Sequence, residues 1–207
     1  MSNHTDQELV ERLRQCDVVA FDEVFERYRA RLYGFLVRLS GSRDVAEDLL
    51  QETWIRLATR VSSLREDSKL APWLFSVARN LYCSYRRSRL LAAKRILELS
   101  RLRAGRESES PFEAVARGER EQRIEHALAS LPLRYREALL LVSVEGLSSS
   151  EAAAICDLDA ATLRKRLSRA RALMAAKIRQ SSHDTVAGKE EAFLPVKSGN
   201  RRWQHEP

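Results

Sequence analysis

Residues 131–171 read LPLRYREALLLVSVEGLSSSEAAAICDLDAATLRKRLSRAR, and this stretch decides the fold. It predicts three helices, because apolar residues recur at helical spacings and polar breaks separate the runs. The first helix spans Arg134–Val144 and ends before Gly146, a residue suited to a left-handed helix cap. The second begins at Ser148 or Ser149, whose hydroxyl can accept from the free backbone N–H groups of a first turn.

The third predicted helix follows a polar break and is capped by Asp159. Its apolar side consists of Leu163, Leu167, Ala170, Met174 and Ile178. Its opposite side carries Thr162, Lys165, Arg166 and Arg169. Two helices joined by a short turn, the second with an apolar back and a cationic front, make a helix-turn-helix that can enter the DNA major groove. The alternative is a solvated basic face on an ordinary helical bundle, but the cap, turn and separated faces together favour DNA binding.

The composition of the whole chain agrees with a helical, basic protein. Its 207 residues include 44% hydrophobic residues but only 7 Gly and 5 Pro, and the net charge is +7. With almost no strand-like alternation, the chain is expected to be all-α and to have a polyanionic partner. We expect two small helical domains joined by a flexible linker: 1–102, the linker at 103–120, the helix-turn-helix domain at 121–180, and a flexible tail over 181–207.

The chemistry-bearing residues give no sign of catalysis or of a bound cofactor. Cys16, Cys83 and Cys156 lie far apart in helical patterns, without metal-ligand spacing, and we interpret them as buried, reduced thiols. No nucleophile, metal or phosphate-binding pattern surrounds the histidines, so an enzyme is set aside. The polar start and the lack of an apolar run of ~20 residues predict a cytoplasmic protein without a membrane span.

The predicted helix Asp44–Arg60 has an acidic side in an otherwise basic chain. Its apolar side consists of Val45, Ala46, Leu49, Leu50, Thr53, Leu57 and Val61. The other side, which we call the acidic face, consists of Asp44, Glu47, Asp48, Gln51, Glu52 and Ile55. This face should repel phosphate, so it is either an ordinary solvated face or a docking site for another protein. Trp54 and Ile55 favour docking, since a solvated face seldom needs large apolar residues.

The predicted helix Trp73–Arg89, opened by Pro72, combines cations with aromatic residues. We expect an inward side of Leu74, Val77, Ala78, Leu81 and Tyr85. We expect a solvent side of Arg79, Asn80, Tyr82, Arg86, Arg87 and Arg89. Cations interleaved with Trp73, Tyr82 and Tyr85 suit single-stranded nucleic acid, with a track for phosphates and flat surfaces for unstacked bases. Alternatively, the aromatic residues are core and the arginines only solubilise the helix.

Two separate stretches resemble the extracytoplasmic-function (ECF) sigma factors, which belong to the sigma-70 superfamily of bacterial RNA polymerase specificity subunits. AEDLLQETWIRLATRV with APWLFSVARNLYCSYRRSR resembles their core-binding and promoter-melting region, and residues 131–174 resemble their C-terminal DNA-binding region. The resemblance implies a non-enzymatic sigma factor that binds core polymerase. It would direct promoter recognition, DNA melting and transcription initiation for a stress- or signal-dependent regulon. A helix-turn-helix regulator that acts without core polymerase is the alternative.

The resemblance also implies roles for individual residues. The clamp helices of the polymerase largest subunit would bind Asp44, Asp48, Gln51, Glu52 and Ile55. The flipped, single-stranded minus-ten promoter element would contact Trp73, Arg79, Asn80, Tyr82, Arg86 and Arg87, which we call the minus-ten set. The duplex minus-thirty-five element would contact Thr162, Arg164, Lys165, Arg166, Ser168 and Arg169, which we call the cationic face. An anti-sigma factor that clasps both domains is a common partner in the family.

The chain departs from the family pattern at three places. Family members usually carry an acidic residue where Ser84 stands, and glycine in the helix-turn-helix turn where Asp157 stands. The recognition helix usually opens with glycine and a β-branched residue where this chain has Ala161 and Leu163. Aspartate tolerates a left-handed backbone better than most residues, so the turn is expected to form at modest cost.

Overall fold

The structure is a computed structural model that describes residues 4–61, 64, 68–100 and 118–191. Within these ranges every regular element is helical, which confirms the all-α prediction. The α-helices in chain order are α1 (Asp6–Arg14), α2 (Val18–Ser40), α3 (Arg43–Arg60), α4 (Leu70–Ser100), α5 (Glu119–Ala129), α6 (Leu133–Leu139), α7 (Ser149–Ile155) and α8 (Ala160–Glu191). We refer to α1–α4 as the N-terminal half and to α5–α8 as the C-terminal half.

The first helices begin and end at residues whose local chemistry fits those positions. Thr5 opens α1 through a reciprocal capping box with Glu8, and the Asp17 carboxylate accepts from the first free N–H groups of α2. Gly41 ends α2 with φ of +73°, a left-handed value that glycine adopts without strain. Ser42 then caps α3, so that α3 packs along α2 after a tight break.

The core of the N-terminal half is the apolar side of α2 packed against α3 and α4. Leu32 and Phe35 of α2 are fully buried, as is Phe75 of α4. The rings of Phe35 and Phe75 meet edge to face, with centroids 5.2 Å apart and planes at 89°. Such a pair adds roughly 0.5–1.5 kcal/mol to the free energy gained by burying its area. The core therefore fixes the α4 axis relative to α2.

The C-terminal half contains the predicted helix-turn-helix. Ser148 caps α7 through a capping box with Glu151, and Asp159 caps α8 by accepting from the Thr162 N–H at 2.8 Å. Gly146 has φ of +73°, as its role at the helix end requires. Asp157 in the turn has φ of +55°, so this aspartate adopts the left-handed backbone that was expected there.

The first helix of this unit differs from the prediction of one continuous helix over Arg134–Val144. The α-helix ends at Leu139, and Leu140–Val144 forms a π-helical turn. The wider turn is closed by the Glu145 N–H, which donates to the Leu140 carbonyl at 2.9 Å. It brings Glu145 to the surface that faces α2, where the Glu145 side chain is 4% exposed.

The two halves pack against each other through one continuous apolar core. Helix α2 contacts α5 and α6, and α4 contacts α7. Residues 101–117, which hold most of the predicted linker, lie outside the described residues, so the domain boundaries remain a prediction. Helix α8 continues to Glu191, past the residue at which the tail was expected to begin. The rest of that tail, 192–207, lies outside the described residues.

The cysteines only partly match the prediction of buried thiols in helices. Cys156 is buried and Cys83 is half-buried, but Cys16 is exposed. Cys16 lies in the turn between α1 and α2 with φ of +60°, beyond the end of α1 at Arg14. No helix in the described part of the chain combines the length and apolarity of a membrane span.

Candidate protein and nucleic-acid interfaces

The acidic face lies on the outer side of α3. Asp44, Asp48 and Gln51 are exposed, and Ile55 is 56% exposed although it is a large apolar residue. Glu52 is half-buried and forms an ion pair with Arg56 at 3.0 Å, one helical turn further along. The structure therefore brings the predicted polymerase-binding residues together on one accessible side of a helix that the core holds in place.

Trp54 does not belong to this face, although its neighbourhood with Ile55 favoured docking at the level of sequence. Its ring is 8% exposed and packs against Phe25 and Phe21 of α2, with centroids 4.9 Å and 6.2 Å away. Its buried Nε1–H has no hydrogen-bond partner among the described residues. Trp54 therefore holds α3 on α2, and Ile55 is left as the apolar member of the face.

The minus-ten set is divided between surface and interior. Asn80, Arg86 and Arg87 are exposed on α4, and Trp73 is half-buried. Tyr82, expected on the solvent side, is 8% exposed, and Arg79 is largely covered as well. The prediction that all these side chains face solvent is wrong for Arg79 and Tyr82, because the C-terminal half packs over that side of α4.

Arg79 is held by groups of the C-terminal half. Its Nε donates to Oε1 of Glu137 at 3.3 Å, and its Nη1 donates to the Ile155 carbonyl at 3.2 Å. Burial alone would lower the pKa of Arg79, but the charge of the Glu137 carboxylate, which also accepts a hydrogen bond, contributes to a net rise in the pKa. Arg79 is therefore a permanent cation at the contact between the halves.

The same contact keeps two thiols protonated. Burial raises the pKa of Cys83, and the nearby Glu137 carboxylate adds to the rise. Burial, again with Glu137, raises the pKa of Cys156 to about 11. Since the thiolate is the reactive form of cysteine, neither thiol is activated while the halves are packed.

The loop before α4 contributes a second ion pair between the two halves. Most of the predicted loop Ser62–Lys69 lies outside the described residues, but Leu64 is buried and Lys69 is exposed. Nζ of Lys69 donates to Oε1 of Glu151 in α7 at 2.7 Å. The hydrogen bond from Lys69, with those from Ser148, lowers the pKa of Glu151 to about 2.

The cationic face of α8 is open to solvent, and its apolar back is buried. Leu163 and Ala170 are fully covered, whereas the exposed members of the face are Arg164, Lys165, Ser168 and Arg169. Arg166 is half-buried. The Thr162 hydroxyl donates to Oδ2 of Asp159 at 2.6 Å, so this side chain also stabilises the start of the helix. The separation of faces predicted from the sequence is confirmed; the DNA contacts stay a prediction.

Two further ion pairs between the halves had no counterpart in the sequence analysis. Arg31 of α2 donates from Nε to Glu145 Oε2 at 3.1 Å and from Nη2 to the Glu145 carbonyl at 2.8 Å. Arg38 of α2 donates from Nη2 to Glu125 Oε1 at 2.8 Å. The sequence carries only a weak indication of such pairs. A single charge within an apolar run, such as Glu137 in REALLLV, suggests a buried ion pair but does not identify the partner.

Comparisons with known proteins agree with this architecture. Residues 24–90 match the family model of Sigma-70 region 2, and residues 121–174 match that of Sigma-70, region 4. The ECF RNA polymerase sigma factor EcfG of Rhodopseudomonas palustris is 37% identical over 145 residues, which cover 70% of this chain and 77% of that protein. The RNA polymerase sigma-H factor of Pseudomonas aeruginosa is 30% identical over 182 residues, 83% of this chain and 92% of that protein.

Solved structures give the same result. The sigma factor RpoE of Bartonella quintana, solved in complex with the anti-sigma factor NepR, superposes with a TM-score of 0.62 at 28% identity, covering 77% of this chain and 96% of that one. CnrH, solved with the cytosolic domain of CnrY, shares the fold with a TM-score of 0.62 at 22% identity, covering 84% of this chain and 97% of that one.

Both helical regions of a sigma-70 protein are present, in the family's order, and the chain belongs to the sigma-70 family, among its ECF sigma factors. Members of this group are RNA polymerase specificity subunits that bind core polymerase and promoter DNA, and they are not themselves enzymes. This membership sets aside a regulator that acts without core polymerase. It does not by itself assign a role to any single side chain.

Proposed function

We propose that this sigma factor uses three separate surfaces during transcription initiation. The acidic face of α3 binds the clamp helices of the polymerase largest subunit. The minus-ten set on α4 holds the flipped, single-stranded promoter strand, and the cationic face of α8 reads the duplex minus-thirty-five element. The observation that carries the proposal is the segregation of charge: an exposed acidic face on α3 and an exposed cationic face on α8 within one basic chain.

The acidic face is suited to protein rather than to DNA. Carboxylates at Asp44 and Asp48 repel phosphate, so this side of α3 cannot take part in template binding. Ile55, more than half exposed, offers the apolar contact that a protein interface usually includes near its centre. Complementary charge at such an interface raises the association rate and selects the partner.

The minus-ten set and the cationic face meet two different forms of DNA. Flipping a base out of the stack costs a few kcal/mol, and stacking on aromatic side chains with cations nearby compensates for it. Trp73, Asn80, Arg86 and Arg87 offer these groups on α4. A helix in the major groove instead needs cations that reach guanine edges and phosphates, as Arg164 and Arg169 can do.

The remaining features of the proposal follow from the family. We infer that the chain acts in the cytoplasm, has no catalytic activity of its own and serves a stress- or signal-dependent regulon. RpoE of Bartonella quintana is seen bound to an anti-sigma factor, and we infer that this chain is also held by such a partner. Its proposed domains are 1–102 and 121–180, joined by the linker 103–120.

Charge reversal on the acidic face tests the proposal. Asp48 and Glu52 lie four residues apart on α3, and Asp22 and Glu26 have the same spacing on the outer side of α2. Both glutamates pair with an arginine of their own helix. D48R/E52R should lose binding to core polymerase and run-off transcription from a promoter library, while duplex DNA binding persists.

The matched variant D22R/E26R makes the same change in charge and should keep all three activities. If both variants lose polymerase binding, the change in net charge, and not the position of the acidic face, causes the loss. Retention of polymerase binding by D48R/E52R would overturn the docking assignment.

A further inference from the structure

Thr162 is a member of the cationic face whose hydroxyl is already hydrogen-bonded within the protein. Oδ1 of Asp159 accepts from the Thr162 backbone N–H at 2.8 Å, and Oδ2 accepts from the Thr162 hydroxyl at 2.6 Å. Asp159 is exposed and Thr162 is partly exposed, at the first turn of α8. Thr162 lies three residues before Lys165 and seven before Arg169, so it shares their side of the helix. The first residues of a helix in the major groove are those that reach base edges.

The direction of the hydroxyl bond follows from the charge of Asp159. The hydrogen bonds that Thr162 donates lower the pKa of Asp159, so this side chain is a carboxylate near neutral pH. A carboxylate can only accept, so the Thr162 hydroxyl must donate its single hydrogen to Oδ2. The hydroxyl then has no hydrogen left for a second bond, and towards the solvent its oxygen can only accept.

Ser168 shows how a hydroxyl behaves without such a bond. It also belongs to the cationic face, it is exposed, and its side chain has no hydrogen-bond partner among the described residues. A free hydroxyl rotates and can donate or accept, so it can bond to any base. Thr162 cannot do so while Asp159 holds its hydrogen.

A group that can only accept distinguishes the bases in the major groove. Adenine presents the N6 amino group there and cytosine presents the N4 amino group, and both are donors. Guanine presents N7 and O6, and thymine presents O4, which are all acceptors. The Thr162 oxygen can therefore bond to adenine or cytosine, but it faces guanine or thymine without a hydrogen between the two acceptors.

We propose that Asp159 sets the base preference of Thr162. By taking the hydroxyl hydrogen, Asp159 makes Thr162 an acceptor that selects adenine or cytosine over guanine or thymine at one position of the minus-thirty-five element. The proposal rests on the role assigned to the cationic face under the proposed function, and it adds a residue outside that face. Asp159 is a positioning residue, because it acts on the DNA through Thr162.

Asp159→Asn reverses the hydroxyl bond and keeps the helix cap. Asparagine caps helices about as well as aspartate does, with its side-chain oxygen accepting from the Thr162 N–H. Its amide nitrogen then takes the place of Oδ2 and donates to the Thr162 oxygen, which releases the hydroxyl hydrogen towards the DNA. D159N should therefore prefer guanine or thymine at the position where the wild type prefers adenine or cytosine.

Asp157→Asn is the matched control. Asp157 is exposed two residues earlier in the chain, and asparagine tolerates its left-handed φ of +55°. Both variants remove one negative charge from the same turn, so a general gain in affinity for phosphates appears in both. T162V keeps the branched shape of the side chain and removes the hydroxyl, so it identifies the position that Thr162 reads.

The measurement uses the full chain assembled with core polymerase and a promoter library whose minus-thirty-five duplex is randomised. Sequencing the bound DNA gives the base preference at each position. In the wild type we expect adenine or cytosine to exceed guanine and thymine about fivefold at one position, as a single hydrogen bond allows. T162V should reduce this preference to less than about twofold. D159N should reverse it, and D157N should leave it unchanged. A merely structural cap would instead weaken the preference at every position alike.

Three results would overturn the proposal. D159N has the same base preferences as the wild type, or the position changed by T162V prefers guanine or thymine in the wild type. In the third, T162V weakens binding equally for all sequences, as the loss of a phosphate contact would.

Arg169→Ala separates this proposal from the one on which it rests. If R169A weakens binding to the enriched duplex while T162V and D159N leave the preferences unchanged, the cationic face binds the element and only the role of Asp159 fails. If the wild type enriches no minus-thirty-five sequence at all, both proposals fail.

Discussion

Nε of Arg79 lies 3.3 Å from Oε1 of Glu137, and this buried ion pair joins the N-terminal half of the chain to the C-terminal half. Removing two charges from water is costly, and their attraction compensates for that cost only while both are present. The intact pair therefore adds little net stability, but removing only one partner destabilises the fold, because the other charge stays buried without compensation. That asymmetry gives the first prediction.

Glu137→Ala should lower the free energy of unfolding by about 3 kcal/mol, because it leaves the Arg79 cation buried without a partner. R79M/E137L replaces both charges with apolar groups of similar size and should remain within about 1 kcal/mol of the wild type. Urea unfolding followed by circular dichroism measures both. The same alanine change at exposed Glu26 should cost less than about 0.5 kcal/mol. A large loss in R79M/E137L would contradict this account of the pair.

Most of the local structure could be predicted from the sequence because it depends on near neighbours. The Leu163–Leu167–Ala170 stripe, the Asp159 cap and the left-handed Gly146 each require only residues within a turn or two. The acidic and cationic faces were predictable for the same reason, since helical periodicity alone decides which side chains share a side.

The covering of Arg79 and Tyr82 could not be predicted in this way. Both lie on the polar side of their own helix, and they are buried because α7 packs against α4 and Glu137 of α6 lies on Arg79. The burial of Trp54 could not be predicted for a similar reason, since its partners Phe21 and Phe25 are on another helix. Helical periodicity identifies a polar side but not what another part of the chain places upon it.

The pair between Lys69 and Glu151 predicts a dependence of stability on pH. The folded pKa of Glu151 is lowered from 4.5 to about 2, so the ionised carboxylate stabilises the folded state above pH 4.5. That contribution is lost as the pH falls from 4.5 towards 2. The difference in unfolding free energy between the wild type and E151Q should therefore shrink on acidification through this range, as urea unfolding at each pH can measure.

Glutamine at position 151 can still accept from the Ser148 N–H, so the capping box is retained and the comparison isolates the charge. Lys69→Gln should have little effect in the E151Q background. In the wild-type background, Lys69→Gln should weaken the dependence of the unfolding free energy on pH. A difference between the wild type and E151Q that stays constant on acidification would show that the pair does not form.

Asp157 in the helix-turn-helix turn has φ of +55°, which a β-branched residue adopts only with strain. Asp157→Val should therefore lower the free energy of unfolding by about 1–2 kcal/mol. Asp157→Gly should not lower it, because glycine adopts this backbone freely. Thermal unfolding ranks the three proteins. Equal stability of the valine and glycine variants would mean that the turn relaxes to another conformation.

Arg169 is exposed on α8, on a different side of the helix from the buried Leu163 and Ala170. If its guanidinium pairs with a base edge, Arg169→Ala should cost about 1–3 kcal/mol for the preferred minus-thirty-five duplex and much less for unrelated duplexes. Binding of a selected duplex and of a scrambled one, each over a series of salt concentrations, separates these cases. Arg171→Ala is the matched control, because two further residues rotate a side chain about 200° around the helix. An equal loss on both duplexes, with a shallower salt dependence, would instead assign Arg169 to a phosphate, since phosphate contacts carry no sequence information.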